Sequence, residues 1–192
     1  ALERIGVKAF GPVAAGANIE GSKRFAKEVM LSAKVPTGKA EVFSDAAEAK
    51  SSLPKYGLPV VVKADGLAAG KGVVVAETLA EAEGAIDDML VSNKFGHAGA
   101  QVLIEEFLHG EECSILAVVD GENALLLPSS QDHNRIFDGD KGPNTGGMGA
   151  YSPAPVVTED MLLEIKQKII MPVVEELKRR GIIYRGILYA GL

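Results

Sequence analysis

A glycine-rich segment between two β-branched runs is the feature that most restricts how this 192-residue sequence can fold. The run 58–64 precedes the glycines and the run 73–75 follows them. Strands joined by a short glycine-rich connection form a hairpin. The segment lacks Walker A spacing, because Gly66 and Gly70 are too close together and Gly72 stands where a hydroxyl residue is required. The hairpin tip is therefore either a cover for a phosphate group or a mobile surface turn.

Short β-rich runs and capped helical periodicities alternate along the rest of the chain. The predicted strands are 7–10, 58–64, 73–75, 102–108, 114–119, 124–127 and 187–190. The predicted helices begin at Ser22, at Ser44 and Asp45, at Thr78 and at Thr158. Pro36 ends the first of them, Pro54 ends the second and Pro172 interrupts the last. This order predicts an α+β protein with two subdomains.

Composition excludes several classes of function. The formal net charge is −6 and Lys and Arg form no long run, so we expect neither nucleic acid nor a membrane surface as a partner. Cys113 is the one cysteine and the three histidines lie far apart, so neither an internal disulfide nor a zinc site is expected. With no signal peptide or apolar span, we expect a cytoplasmic protein. The absence of an initial Met suggests an excerpt of a longer chain.

Two lysines stand where a cation needs an anionic partner. Lys63 ends an apolar strand run, where an unpaired buried ammonium would be costly. Lys23 lies in the first turn of a predicted helix, where a cation opposes the macrodipole. A bound polyphosphate would satisfy both, although Lys63 could also extend its ammonium to solvent.

An acidic motif and a long polar segment are the other candidates for chemistry. Residues 105–112 place paired carboxylates at a strand end, which suits an acceptor for a ribose diol, a weak divalent-ion site or a solvated strand end. Residues 129–155 show no periodicity and are rich in glycine and proline, which predicts a functional or disordered loop. Within it, His133 could be a general base or a structural histidine.

Five strings, in this order, resemble the glycinamide ribonucleotide synthetase family of ATP-grasp carboxylate-amine ligases. They are 20–23, 62–73, 104–112, 131–133 and 142–155, of which KADGLAAGKGV and GPNTGGMGAYSPAP are the most specific. The resemblance covers nearly the whole chain and implies the ATP-grasp fold, in which two subdomains clamp ATP. It implies an N-terminal domain end and connecting helix at 1–40, a small lid subdomain at 41–106 and an incomplete larger core subdomain at 107–192.

The resemblance also implies ATP as a ligand and assigns residues to it. Lysines would hold the phosphates, residues 70–72 would form a phosphate lid and residues 105–108 an adenine hinge. A carboxylate would bind the ribose. The implied ATP-binding residues are Lys23, Lys63, Gly70, Lys71, Gly72, Val73, Glu105, Glu106, Phe107, Leu108, Glu112 for the ribose, and Asn144 near the phosphates.

The two other substrates implied by the family are glycine and 5-phosphoribosylamine. ATP would phosphorylate the glycine carboxylate, and the amine would then attack the acyl phosphate, giving glycinamide ribonucleotide, ADP and phosphate in purine synthesis. The implied substrate-binding residues are Asp132, His133, Asn144, Thr145, Gly146, Gly147, Met148, Gly149 and Tyr151. Asn134 departs from the family pattern, in which a lysine is expected.

The metal and two alternatives complete the expectations. Mg²⁺ or Mn²⁺ would accompany ATP, and the family's metal ligands would lie beyond Leu192, so neither a metal ligand nor a catalytic residue is predicted. The first alternative is another ATP-grasp carboxylate-amine ligase that uses a different acid and amine. The second is a nucleotide-binding module without ligase activity in these 192 residues.

Overall fold

A computed structural model describes residues 2–68, 72–92, 94–139 and 141–192, and gives the backbone alone for Glu3, Lys141, Pro143 and Asn144. In chain order the helices are α1 (Ala14–Gly21), α2 (Lys23–Ser32), α3 (Ala46–Ser52), α4 (Leu79–Ile86), α5 (Glu159–Ile165) and α6 (Met171–Arg179). The strands are β1 (Ala40–Phe43), β2 (Val60–Ala64), β3 (Val73–Ala76), β4 (Val102–Glu106), β5 (Ser114–Val119), β6 (Ala124–Leu126), β7 (Gln131–Phe137), β8 (Lys141–Tyr151) and β9 (Gly186–Gly191). This mixture confirms the α+β prediction.

The chain forms two compact units, each built from separate stretches of sequence. The first unit comprises residues 17–31 and 36–109, and the second comprises residues 1–16, 32–35 and 110–192. No helix in the described ranges is both long and apolar enough to cross a membrane.

The first unit is organised by an antiparallel sheet in the order β1-β4-β2-β3. Alternate residues of a strand point to opposite faces. One face therefore carries buried apolar residues such as Val62 and Ile104, which pack with Leu53, Ile86 and Met89 in a single core. The opposite face carries Lys63 on β2 and Glu105 on β4, so one face of this largely apolar sheet bears charged side chains.

Side-chain caps fix the beginnings of α2, α3 and α4, as predicted. Asp45 accepts a hydrogen bond from the backbone N–H of Glu48 at the start of α3. Thr78 and Glu81 form a reciprocal capping box at α4. Ser22 accepts from the N–H of Phe25 at 3.1 Å and begins α2. Each cap satisfies backbone donors that a helix leaves unpaired in its first turn.

The second unit contains a sheet in the order β6-β5-β9, with all pairs antiparallel. Thr158 caps α5 through the N–H of Met161. A π-helical turn at Lys166–Ile170 joins α5 to α6, with Pro172 in the first turn of α6. Because proline has no N–H to donate, the local change in pairing falls just before it. This confirms the predicted interruption.

The prediction of a long loop at 129–155 is wrong. Residues of β7 and β8 pair as an antiparallel hairpin, with Gln131 opposite Tyr151 and His133 opposite Gly149. Two register shifts interrupt the ladder, and Gly142 and Gly147 adopt positive φ angles. Glycines and register shifts remove the regular alternation by which a strand is recognised in sequence.

The prediction of a strand at 7–10 is also wrong, and α1 was not predicted. Residues Val7 to Phe10 have no assigned secondary structure, and Val7 and Phe10 are exposed. β-propensity reflects packing against neighbouring strands, and these residues are paired with none in the described ranges. The α1 sequence has three alanines or glycines in its first three positions and little amphipathic character, so helical periodicity gave no signal.

Candidate functional site

The N-terminus of α2 is held against the loop that follows β2. The carboxylate of Asp65 accepts hydrogen bonds from the Arg24 N–H at 2.6 Å and from the Ser22 hydroxyl at 3.0 Å. The backbone N–H of Lys23 donates to the Asp65 carbonyl at 3.0 Å. A carboxylate is favoured at the positive end of a helix dipole. The glycine-rich hairpin is therefore attached to α2 at its base.

Lys23 extends its ammonium into that base. Its Nζ donates to the carbonyl oxygens of Ala64 at 2.8 Å and Gly66 at 3.1 Å. Burial lowers the pKa of Lys23 below its usual range and the charge of Lys63 adds to this, while Asp65 acts in the opposite direction. The fold thus provides carbonyl acceptors for the Lys23 ammonium, and the positive charge of Lys63 contributes to lowering the pKa of that ammonium.

Lys63 is paired with an acid of the neighbouring strand. Its ammonium forms an ion pair with Oε2 of Glu105, and 29% of the Lys63 side chain remains exposed. The partner expected from the sequence is therefore supplied by the protein itself. The exposed fraction leaves part of the Lys63 side chain open to solvent.

Glu105 also binds a third lysine, which the sequence reasoning missed. Oε1 of Glu105 accepts from Nζ of Lys27 at 2.5 Å, and Lys27 also donates to the Thr37 hydroxyl at 2.7 Å and the Gly38 carbonyl at 2.9 Å. Lys27 is 6% exposed. Its position one helical turn after Lys23, on the same face of α2, was the available signal. We call Lys27, Lys63 and Glu105 the charged triad.

The charged triad keeps Glu105 ionised. Burial by itself would raise the pKa of this carboxyl group, but the charge of Lys63 and the hydrogen bonds from Lys27 and Lys63 outweigh burial and lower the pKa below its usual range. A buried carboxylate with two cationic donors is stable as an anion. Glu105 is therefore an anion at neutral pH.

The predicted adenine hinge leaves the sheet at the end of β4. The N–H of Glu106 donates to the Lys39 carbonyl at 2.9 Å, and its carboxylate accepts from the Lys39 N–H at 2.8 Å. The rings of Phe107 and His109 contact each other edge to face, with centroids 4.8 Å apart. Leu108 is exposed. Residues 105–108 thus pass from a buried strand to an exposed segment.

The predicted phosphate lid is described only in part. Gly70 and Lys71 lie outside the described residues. The Gly72 carbonyl accepts from the N–H of Ala64 at 2.7 Å, and Val73 pairs with Lys63 across the hairpin. A Cβ on Gly72 would lie 2.5 Å from Cβ of Ala68, so only glycine fits there. The predicted hairpin of β2 and β3 is confirmed.

Glu112, the predicted ribose-binding residue, lies in the second unit two residues before β5, and it is exposed. The lysines and the hinge belong to the first unit. The predicted ATP-binding residues are therefore divided between the two units.

The predicted substrate residues lie together on the hairpin of β7 and β8. Asp132 and His133 are on β7, and 144–151 are on β8. The Tyr151 hydroxyl donates to Oε1 of Gln131 at 2.5 Å, and its ring centroid lies 5.3 Å from that of His133. Asn144 is described by its backbone alone, opposite Arg135.

Polar contacts within this hairpin occupy several of the predicted side chains. Asn134 donates to the Asp132 carboxylate at 2.7 Å, so the residue that departs from the family pattern contacts a predicted substrate residue. The Thr145 hydroxyl accepts from the Gly147 N–H at 3.1 Å. Met148 is exposed. The hairpin presents hydroxyl, carboxylate and imidazole groups beside backbone that is rich in glycine.

Solved structures share this architecture. A phosphoribosylamine-glycine ligase from Thermotoga maritima matches with a TM-score of 0.85 and 37% identity, covering 95% of this chain and 46% of that one. A second match is the biotin carboxylase domain of 2-oxoglutarate carboxylase from Hydrogenobacter thermophilus, solved with MgADP. Its TM-score is 0.75 and its identity 20%, and the match covers 99% of this chain and 40% of that one. The match to the ligase structure, together with the glycine-rich hairpin, assigns the chain to the ATP-grasp fold.

Sequence comparison identifies the family. The family described as "Phosphoribosylglycinamide synthetase, ATP-grasp (A) domain" matches residues 21–192, and the chain belongs to it. Phosphoribosylamine-glycine ligases from Ralstonia nicotianae and Escherichia coli are 55% and 54% identical to it over 187 residues. Each match covers 97% of this chain and 44% of the relative. The chain therefore spans less than half the length of these relatives.

Proposed function

We propose that these residues supply the ATP site of a ligase that joins glycine to 5-phosphoribosylamine in de novo purine synthesis. Support comes from the relatives with that activity in their names, at 54–55% identity. Among observations on the structure, the one that carries the proposal is the position of Lys23 and Lys63 at the base of a glycine-rich hairpin.

In this proposal two lysines and the hairpin hold the triphosphate. Lys63 donates to a phosphate with its accessible ammonium, and Lys23 positions the base of the hairpin and adds positive charge. Backbone N–H groups of a glycine-rich turn bind phosphate oxygens closely. Residues 105–108 bind the adenine and Glu112 binds the ribose. The full proposed set is Lys23, Lys63, Gly70, Lys71, Gly72, Val73, Glu105, Glu106, Phe107, Leu108, Glu112 and Asn144.

The reaction that this site would support is acyl phosphate formation followed by amide formation. A carboxylate oxygen of glycine attacks the γ-phosphorus and ADP leaves, which converts a poor electrophile into a mixed anhydride. The amine of 5-phosphoribosylamine then attacks the acyl carbon, phosphate leaves and the nitrogen loses a proton. Lysines neutralise charge on the transferred group, and a closed hairpin keeps water from the acyl phosphate.

We propose that the hairpin of β7 and β8 surrounds glycine and 5-phosphoribosylamine. Its close-fitting glycine backbone and short polar side chains can replace the hydration shell of a small polar substrate. The proposed substrate-binding residues are Asp132, His133, Asn144, Thr145, Gly146, Gly147, Met148, Gly149 and Tyr151. No catalytic residue is assigned.

We propose that Mg²⁺ or Mn²⁺ accompanies ATP in this site. Magnesium commonly binds proteins through substrate phosphates and few carboxylates, and the Hydrogenobacter thermophilus structure was solved with MgADP. In residues 2–68, 72–92, 94–139 and 141–192, no group of three or more His, Cys, Asp and Glu side chains could hold a metal ion.

We further propose the functional division of the ATP-grasp fold for this chain. Residues 41–106 would act as the lid and residues 107–192 as the core, with residues 1–40 connecting them to an N-terminal domain. A protein with these substrates would work in the cytoplasm, with small molecules as partners.

Replacing Lys63 with methionine tests the ATP site. We expect ATP affinity to fall at least about tenfold, because a charge-assisted hydrogen bond to phosphate contributes roughly 1.5–3 kcal/mol. Isothermal titration with ATP and magnesium measures this. Lys55→Met is the matched control, since Lys55 forms an exposed ion pair with Glu41 in the same unit.

Equal ATP affinities for the Lys63 variant and the unaltered chain would remove Lys63 from the site. The substrates need a separate measurement. Release of phosphate that requires both glycine and 5-phosphoribosylamine would support the proposed reaction. Release with a different acid and amine would instead indicate another ATP-grasp ligase.

A further inference from the structure

The charged triad joins three elements of the first unit through one carboxylate. Lys27 comes from α2, Lys63 from β2 and Glu105 from β4. The side chains of Lys27 and Glu105 are 8% and 11% exposed, whereas that of Lys63 is 29% exposed. Of the three side chains, that of Lys63 is therefore the most accessible to a ligand.

The surroundings of Glu105 are built to receive its carboxylate. Gly38 is buried beside it, and a Cβ on Gly38 would lie 3.2 Å from Oε1 and 3.3 Å from Cγ of Glu105. The Lys27 ammonium on the same oxygen also binds Thr37 and the Gly38 carbonyl, so all three of its donors are used. Lys27 is thus fixed in place without any contribution from a ligand.

The balance of charge in the triad is unequal. Two ammonium groups face one carboxylate, so the three side chains together carry one net positive charge. Without Lys27, Glu105 and Lys63 would form a neutral pair. An anion at Lys63 would then have to compete with Glu105 for a cation that is already compensated.

We infer that Lys27 is a positioning residue that compensates the charge of Glu105, so that Lys63 presents an uncompensated positive charge to the phosphates of a nucleotide. Lys27 itself does not touch the nucleotide and acts through Glu105. This inference rests on the proposed ATP site and adds to it a residue that determines the charge of that site.

The pH dependence of the triad follows from the same balance. The charged groups that face Glu105 are Lys27 of α2 and Lys63 of β2, and together they lower its pKa. When Lys27 is removed, burial persists and one cation is lost, so the pKa of Glu105 rises. As pH falls through that raised pKa, Glu105 takes up a proton and Lys63 regains its uncompensated charge. Anion affinity of the variant should then recover toward that of the unaltered protein.

The test compares three variants for binding of ATP and of inorganic tripolyphosphate, which has no adenine to contact the hinge. Lys27→Met should lower the affinity for both probes about tenfold at pH 8, the effect of one unit charge at a few ångströms in a partly screened site. Lys27→Met combined with Glu105→Gln should restore tripolyphosphate affinity, because one positive charge is again uncompensated. Glu105→Gln alone should raise it.

Two further measurements separate this effect from structural damage. The ratio of tripolyphosphate affinities between the unaltered chain and the Lys27 variant should shrink as pH is lowered from 8 toward the ordinary titration range of a glutamic acid, which loss of folding would not produce. Lys50→Met serves as the control, because it removes another ion pair of the first unit, the one with Asp87 at 2.7 Å. Circular dichroism establishes that each variant is folded.

The outcomes are distinguishable. If the unaltered chain binds neither ATP nor tripolyphosphate, the proposed ATP site is wrong. If it binds both and Lys27→Met binds them equally well, the inference is wrong. A double variant that binds tripolyphosphate no better than Lys27→Met also overturns it. A Glu105→Gln variant with reduced tripolyphosphate affinity would overturn the inference as well. If Lys27→Met does not fold, the Glu105→Gln variant alone tests the inference.

Discussion

Leu53→Ala is expected to lower the free energy of unfolding by about 2–5 kcal/mol, the cost of removing a buried leucine side chain and leaving a cavity. Leu53 is 1% exposed and lies in the core that also contains Val62, Ile86 and Ile104. These neighbours belong to different strands and helices, so they cannot close the space without moving whole elements. Urea unfolding followed by circular dichroism measures the change.

Leu79→Ala is the matched control for this prediction. Leu79 begins α4 in the same unit and is 48% exposed. The chemical change is identical, and we expect an effect within about 0.5 kcal/mol. Equal losses at Leu53 and Leu79 would mean that the core of the first unit is not where the structure places it.

Gly66→Ala is expected to destabilise the first unit by about 1–3 kcal/mol, as insertion of a methyl group into a packed site does. A Cβ at Gly66 would lie 2.8 Å from Cα and 2.9 Å from Cβ of Ala98, and a backbone cannot move aside as a side chain can. The Gly66 N–H also donates to the Ala98 carbonyl, and its own carbonyl accepts from Lys23. Urea unfolding measures the loss.

The same substitution at Gly84 should have the opposite sign. Gly84 lies inside α4, and a Cβ there would have no neighbouring atom within 4 Å. Alanine is a better helix former than glycine, and we expect a gain of about 0.4–1 kcal/mol. If both alanine variants gained stability, the close approach of Gly66 to Ala98 would be contradicted.

Local chemistry made much of the first unit predictable. Asp45 and Thr78 were recognisable as helix caps because capping depends on residues within one turn. The hairpin of β2 and β3 was recognisable because two β-branched runs flank a glycine-rich connection. Such signals need no knowledge of which elements will become neighbours.

Features that depend on a partner element were missed. The run from Val7 to Phe10 has β-propensity, but a strand also needs an adjacent strand, and this run is paired with none in the described ranges. The hairpin of β7 and β8 exists in spite of its glycines and register shifts. Its pairing is made by backbone groups, which every residue type except proline carries in full, so the sequence gives little indication of it.

In the candidate site, too, local features were predictable and contacts between separate elements were not. Lys63 was recognisable as a cation in an apolar run, and its need for an anion follows from the cost of burial. That Glu105 is this anion depends on β4 lying beside β2, and that Lys27 completes the triad depends on the position of α2. Residues that lie 42 or 78 positions apart in sequence cannot be recognised as contacts from local spacing.

The interleaving of the two units along the chain has a consequence for synthesis. During synthesis, every residue of the first unit has left the ribosome once His109 has emerged. Residues 1–16 and 32–35 belong to the second unit, which cannot assemble until the residues from Gly110 onward have also emerged. Nascent chains halted after His109 should therefore already resist proteolysis from residue 36 to residue 109, while their first 16 residues remain open to cleavage.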